Sequence, residues 1–130
     1  MAIELNHTIV AARDPQASAA WLAELLGLAA PSRFGPFHCV TLDNGVSLDF
    51  MAGDDDAIVG QHYAFLVGED EFDRVFARLR ERGLPYSADP GGQRPGEINR
   101  RDGGRGVYWD DPDGHRLEIL TRPYGSGGGR

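Results

Sequence analysis

The sequence predicts an α+β fold built from two similar halves. Each half reads strand, helix, strand, strand, in the same order. Each half also opens on a histidine in a strand pattern, His7 and His62, and closes on a strand pattern that carries a carboxylate, Asp49 and Glu118. Repetition of a whole supersecondary unit predicts two equivalent modules that together form one domain.

The first module is predicted over about residues 3–52 and begins with a strand and a helix. Ile3–Val10 is apolar and β-branched, as a strand requires. Asp14 suits the N-cap of a helix and Pro15 its first helical position. Apolar residues then recur at helical spacing as far as Gly27, where we expect the helix to end.

A hairpin completes the first module. Strand patterns cover Phe37–Leu42 and Val46–Met51, and the three residues between them, 43–45, read Asp-Asn-Gly, a tight-turn sequence. In both modules a turn glycine stands four residues before the closing carboxylate.

The second module is predicted over about residues 61–122. Tyr63–Val67 reads as a strand, and three acidic residues then open a helix, where the helix dipole favours negative charge. The helix carries an apolar stripe and should stop at Gly83. Two further strands, Val107–Trp109 and Arg116–Leu120, close the module.

The segment between that helix and the closing strands, Pro85–Gly106, is rich in Gly, Pro and Arg. It is too polar for a core, and its length favours a functional loop, with room for one short strand near Tyr86–Ala88. We take residues 1–123 as a single domain. Residues 124–130 have nothing to bury and should form a flexible tail.

Composition excludes several functions. The net charge of −7 disfavours nucleic acid as a partner. All 13 basic residues are arginine, which excludes Schiff-base chemistry through a lysine. The single cysteine, Cys39, excludes an intramolecular disulfide, and no apolar run reaches the roughly 20 residues of a membrane span. We therefore expect a cytoplasmic protein with no membrane partner.

The stretch Gly106–Ile119, Gly-Val-Tyr-Trp-Asp-Asp-Pro-Asp-Gly-His-Arg-Leu-Glu-Ile, resembles the vicinal oxygen chelate superfamily. That superfamily contains glyoxalase I, fosfomycin-modifying enzymes, extradiol dioxygenases and bleomycin-binding proteins. The resemblance extends over about Ile3–Arg122. It implies two βαβββ modules that form a curled mixed sheet with helices on the outer face and a metal in the concavity.

Residue by residue, the resemblance implies a metal site. His7 on the first strand, His62 on the fifth and Glu118 on the eighth match the family's ligand positions, and Asp49 on the fourth is a possible fourth ligand. The family's lyases usually have glutamate there, so the shorter Asp49 points to a triad of two histidines and one carboxylate with open coordination positions. The implied cofactor is a divalent ion, namely Fe, Mn, Ni or Zn. Such sites are commonly built across a homodimer.

The other candidate residues concern protons and substrate. Glu118, or Asp49 if it is unbound, is the candidate proton carrier. The candidate substrate contacts are two loop arginines and three strand aromatics: Arg94, Arg101, Tyr63, Tyr108 and Trp109. Each also has a structural interpretation, since arginines offset nearby acids and aromatics fill cores. His115, beside a turn glycine, is expected to be exposed.

Two classes of function remain open at this point. The first is a metal-dependent enzyme acting on a small molecule that chelates the metal through adjacent oxygens, by lyase or isomerase chemistry, dioxygen insertion with Fe(II), or epoxide opening. The second is a protein of the bleomycin-resistance type that sequesters an antibiotic without chemistry. Members of the second class often lack the ligands, so the presence of His7, His62 and Glu118 favours the enzyme.

Overall fold

A computed structural model describes residues 2–54 and 57–126. Within them the chain forms seven strands and two α-helices. In chain order these are β1 (His7–Ala12), α1 (Pro15–Leu26), β2 (Ser32–Phe34), β3 (Phe37–Thr41), β4 (Ser47–Ala52), β5 (His62–Leu66), α2 (Glu69–Glu81), β6 (Gly106–Asp110) and β7 (Arg116–Leu120). The chain divides into two compact units, the first ending at Ile58 and the second beginning at Val59. The predicted α+β class is confirmed.

The first unit is a four-stranded sheet in the order β1-β4-β3-β2. β1 and β4 are parallel and the other pairs are antiparallel. Helix α1 begins as predicted, because the Asp14 carboxylate accepts the Ala17 N–H at 3.1 Å, and it ends at Gly27, whose φ is 71°. The predicted turn between β3 and β4 is also present, with Gly45 at φ 86°.

Alternation along these strands separates two faces of the first sheet. Side chains such as Val10, Val40 and Phe50 are buried on one face, together with buried residues of α1. The opposite face carries His7, Asp49 and their neighbours in register, and it is half-exposed or exposed. The predicted ligand positions of this unit therefore lie on its open face.

β2 was not among the elements that periodicity alone identified. Its residues, Ser32–Phe34, are all exposed, and it pairs only with β3 among the described strands. A strand of three exposed residues has no buried face, so the hydrophobic pattern carries no signal for it.

The second unit is a three-stranded sheet in the order β5-β7-β6, with β5 and β7 parallel. The strand that we expected near Tyr86–Ala88 is reduced to isolated bridges from Ser87 to Tyr108 and Pro95. Nearby prolines lack the N–H that a longer ladder needs. Glu118 therefore lies on the seventh strand, which corrects the expected eighth.

Helix α2 shows the predicted amphipathic pattern. Glu69, Asp70 and Glu71 occupy its first turn, and its buried residues are Phe72, Val75 and Leu79. Gly83, with φ 65°, follows its end. Neither described helix is long and apolar enough to cross a membrane.

Candidate metal centre

Two predicted ligands meet in the second unit. In the parallel register of β5 and β7, His62 lies opposite Arg116 and Ala64 opposite Glu118, so His62 and Glu118 share one face of the sheet. His62 Nε2 lies 3.0 Å from Glu118 Oε1. The Glu118 side chain is 2 % exposed, whereas that of His62 is 47 % exposed. The pair thus joins a buried carboxylate to an imidazole that solvent and ligands can reach.

Both ring nitrogens of His62 face oxygen atoms. Its Nδ1 is 3.2 Å from the Arg116 carbonyl oxygen, which can only accept a hydrogen bond. In neutral imidazole the donor is then Nδ1, and Nε2 presents a lone pair to the carboxylate. Two acceptors 3.0 Å apart need a cation between them, either a proton or a metal ion. A backbone carbonyl that holds the remote nitrogen is also typical of metal-binding histidines.

The second oxygen of Glu118 also fits a bound cation. Oε2 is buried and has no hydrogen-bond partner among residues 2–54 and 57–126. A buried ionised carboxylate is costly unless it is paired, hydrogen-bonded or bound to a metal. The donor set of imidazole nitrogen and carboxylate oxygen suits Fe, Mn or Zn. The residues present therefore fit a divalent metal ion.

Two tyrosine hydroxyls accompany this carboxylate. Tyr108 lies opposite Glu118 in the β6–β7 register, and its ring stacks on His62 with centroids 5.9 Å apart. Burial, together with the nearby Glu118 charge, raises the pKa of Tyr108. The Tyr124 hydroxyl lies 3.4 Å from the Tyr108 hydroxyl. The pKa of Tyr124 is raised chiefly by burial and then by the hydrogen bond and charge of Glu118. Both phenols consequently remain protonated hydrogen-bond donors at neutral pH.

The first unit carries His7 and Asp49 on the open face of its sheet. His7 Nδ1 lies 2.8 Å from Asn6 Oδ1, so the contact uses Nδ1 and not Nε2. Asp49 accepts a 2.5 Å hydrogen bond from the Ser47 hydroxyl. Burial, then hydrogen bonding and charge from Asp49, raises the pKa of the Cys39 thiol. Asp49 is thus already engaged by hydrogen-bond donors.

No group of three or more His, Cys, Asp or Glu side chains able to hold a metal lies together in the described chain.

The second unit contains two cavities, one beside Tyr108 and one beside Asn99. One of about 240 Å³ is lined by Tyr108, Arg116 and the loop that follows α2. Another of about 480 Å³ is lined largely by polar loop residues, including Asn99, Arg100 and Arg101. Neither Arg100 nor Arg101 forms an ion pair with a carboxylate in the part of the chain described. The larger cavity therefore has the charge to accept an anionic group.

Comparison with known families agrees with this geometry. The family model described as Glyoxalase/Bleomycin resistance protein/Dioxygenase superfamily matches residues 4–119. The chain belongs to this superfamily. It is 30 % identical over 120 residues to glutathione transferase FosA of Serratia marcescens, an alignment that covers 88 % of this chain and 78 % of FosA.

Two solved structures are similar to the chain over nearly its whole length. Oxidase ChaP-H1 is 68 % identical, with a TM-score of 0.93 over 96 % of this chain and 100 % of that one. Oxidase ChaP-H2 is 62 % identical, with a TM-score of 0.95 over 98 % and 100 %. Relatives of this chain within the superfamily therefore carry the names of oxidases and of a glutathione transferase.

The structure separates the aromatic residues expected to contact substrate. Tyr108 lies on the Glu118 face, but Tyr63 and Trp109 both lie opposite Leu117 in register and so project to the other face. Trp109 is only 2 % exposed. Neighbouring residues of a strand point to opposite faces, and a prediction from residue type alone could not separate Tyr108 from Tyr63 and Trp109. We leave Tyr63 and Trp109 out of the proposed binding surface.

The two predicted loop arginines also differ. Arg94 forms an ion pair with Glu97 at 3.0 Å on the surface, as an arginine that offsets a nearby acid would. The Arg101 guanidinium lies over the Tyr124 ring, 5.2 Å from its centroid. Of these two arginines, Arg101 is the one in contact with the group of residues around Glu118.

Sequence reasoning underrated three further residues. Asn99, which is 7 % exposed, donates to the Tyr124 hydroxyl, and nothing in the sequence around it marks that role. Tyr124, the first residue of the predicted tail, contacts Asn99 and Tyr108; residues 127–130 of that tail lie outside the described part. His115 is 1 % exposed, not exposed as expected, and its ring accepts the Gln61 N–H at 3.0 Å.

Proposed function

We propose that this protein is a metal-dependent oxidase of the superfamily. Its substrate is a small organic molecule that binds the metal through adjacent oxygens and donates electrons to dioxygen. One observation carries the proposal: His62 Nε2 lies 3.0 Å from Oε1 of the buried Glu118 carboxylate, whose second oxygen has no partner in the described residues. The 62–68 % identity to two proteins named oxidases favours this reaction class over lyase chemistry.

The residues of the chain have distinct parts in this proposal. A divalent ion held by His62 and Glu118 supplies Lewis acidity and, as iron(II), a path for electrons to dioxygen. The Arg116 carbonyl fixes the His62 ring through Nδ1. Tyr108 stacks on that ring, and its hydroxyl lies 3.4 Å from that of Tyr124.

Asp49 is proposed as the proton acceptor rather than as a fourth ligand. Its carboxylate already accepts the Ser47 hydroxyl and is close to the Cys39 thiol. A carboxylate that faces solvent with such neighbours can receive a proton from a substrate hydroxyl.

As the third ligand we propose His7. Superfamily members commonly dimerise, and in this proposal His7 of one protomer joins His62 and Glu118 of a second copy. A mixture of two defective variants tests this arrangement. If His7→Ala and His62→Ala chains are refolded together, cross-chain sites restore metal to about a quarter of all sites of a statistically mixed two-fold dimer. Ligands that all come from one chain would restore none.

Metal analysis tests the centre itself. Wild-type protein prepared with iron or zinc should hold about one ion per chain, whereas His62→Ala and Glu118→Gln should lose affinity by tenfold or more. His38→Ala is the matched control, because His38 lies on the opposite face of the first sheet from His7 and Asp49. Oxygen uptake by the iron-loaded protein with catechols then tests the oxidase assignment. Wild-type protein without bound metal would contradict the proposal and favour ligand sequestration.

The second candidate function is thiol transfer to an anionic epoxide. The cavity lined by Arg100 and Arg101 favours it, as does the 30 % identity to glutathione transferase FosA. Thiol consumption with an epoxide phosphonate, in the presence of manganese and without oxygen uptake, would support this candidate over the oxidase.

A further inference from the structure

A tyrosine near the C-terminal end of the described chain is held beside the Glu118 face by residues distant in sequence. The Tyr124 hydroxyl lies 3.3 Å from Asn99 Nδ2 and 3.4 Å from the Tyr108 hydroxyl. Arg101 covers its ring. Tyr124 remains 38 % exposed, so it lies at the boundary between the site and solvent.

The short segment Pro123–Ser126, which we call the strap, is fastened in place. The Gly125 N–H donates to Asp102 Oδ2 at 2.8 Å, and the Ser126 N–H donates to the Pro123 carbonyl at 3.1 Å. Asp102 has a φ of 55°, a conformation that aspartate tolerates better than most residues. The strap thus fixes the backbone on either side of Tyr124.

The hydrogen bonds of Asn99 determine the direction of the Tyr124 hydroxyl. Asn99 Oδ1 accepts the Arg101 N–H at 3.3 Å, and its Nδ2 donates to the Ala88 carbonyl at 2.9 Å, so the amide orientation is defined. Nδ2 therefore donates to the Tyr124 oxygen. A phenol that accepts in this way retains its own proton for donation.

We propose that Tyr124 is a substrate-binding residue of the metal centre and that the strap presents it. Its hydroxyl donates a hydrogen bond to an oxygen of the chelating substrate, beside the carboxylate whose Oε2 has no partner in the described residues. This inference rests on the proposed function, because the substrate is the metal-chelating molecule named there. It adds a specificity element to that function: a ligand without an acceptor oxygen at this position binds more weakly.

Binding of a chelating probe to zinc-loaded protein tests the inference without turnover. 4-Nitrocatechol offers two adjacent oxygens and a visible absorption band, and zinc cannot oxidise it. Tyr124→Phe should raise the Kd of the probe about tenfold, which corresponds to one hydrogen bond. It should leave the zinc Kd, measured by chelator competition, within about twofold of wild type, since the hydroxyl acts on the ligand and not on the ion.

Two further variants keep the test specific. Tyr63→Phe removes a hydroxyl from the opposite face and should bind the probe like wild type. Asp102→Gly keeps Tyr124 and allows a φ of 55°, but it removes the carboxylate that holds Gly125, so the probe Kd should rise by about threefold, less than in Tyr124→Phe.

The outcomes separate this inference from the proposed function. Wild-type protein that binds zinc and the probe, with a Tyr124→Phe variant that binds the probe equally well, overturns the role of Tyr124 alone. A Tyr124→Phe variant whose zinc Kd rises as much as its probe Kd overturns it too, since Tyr124 would then support Glu118. Wild-type protein that binds neither zinc nor the probe overturns both.

Discussion

Gly106 is the position where the smallest change should disturb the site most. A Cβ on Gly106 would lie 2.6 Å from the Tyr124 hydroxyl oxygen and within 2.8 and 2.9 Å of the Asn99 side-chain nitrogen and oxygen. Ordinary contact between such atoms is about 3.5 Å, so the Gly106→Ala variant requires a movement of almost 1 Å. The φ of Gly106 is not in the left-handed region, so the effect comes from the clash alone.

The magnitude follows from the hydrogen bonds that must break. Asn99 is buried and bonds through its side chain to the Ala88 carbonyl, the Arg101 N–H and the Tyr124 hydroxyl. At about 1 kcal/mol for each bond, displacement of Asn99 costs about 2–3 kcal/mol. For a chain of this size that lowers the Tm by about 8–12 °C.

Urea unfolding and thermal melting measure this change, and the 4-nitrocatechol titration measures its effect on the site. Gly106→Ala should weaken probe binding, because Tyr124 is displaced. Gly68→Ala is the matched control, since a Cβ on Gly68 would meet no atom within 4 Å and the expected cost is below about 1 kcal/mol. A Gly106→Ala protein that melts within about 2 °C of wild type would refute the reasoning.

The remaining predictions concern stability. Backbone N–H groups and the Ser87 hydroxyl hydrogen-bond Asp89 and lower its pKa to about 2. A depressed carboxyl pKa stabilises the fold above about pH 4 and loses that effect as the pH falls toward 2, so wild type should melt above Asp89→Asn at pH 6 and converge with it near pH 2. His115→Ala removes a buried ring and leaves the Gln61 N–H without its acceptor, so the free energy of unfolding should fall by about 3 kcal/mol in urea titrations.

Each of these two predictions has a contradicting result. A gap between wild type and Asp89→Asn that stays constant from about pH 6 to about pH 2 would show that the carboxylate charge is not the cause; Asp43→Asn, in the turn between β3 and β4, serves as control. A His115→Ala loss below about 1 kcal/mol would show that the ring is not the acceptor that holds Gln61.

The parts of the fold predicted from the sequence are those with strong local signals. Asp14 and Pro15 define a helix start through chemistry confined to one turn, and Gly45 does the same for a hairpin. β2 was missed and the strand near Ser87 was overestimated, because such short pairings depend on a partner strand rather than on their own periodicity. Elements whose stability is mainly tertiary leave little trace in a local pattern.

The candidate site likewise contains residues that the sequence predicted and residues that it did not. The family pattern pointed to His62 and Glu118, and their contact follows from the register of two strands far apart in sequence. Tyr63 and Trp109 were selected by residue type, although strand alternation places them on the other face. Asn99 and Tyr124 enter through loop contacts, for which one sequence contains no periodic signal.

The parallel pairing of β5 and β7 has a consequence for folding. His62 and Glu118 are brought together only when a late strand settles beside an early one in the correct alignment. A slip of one residue would exchange Glu118 for Leu117 or Ile119 and turn the carboxylate into the apolar layer. Under the proposed function, in which His62 and Glu118 hold the metal, only the correct alignment should take up metal, and metal content should then follow the fraction of chains in which β7 has docked correctly.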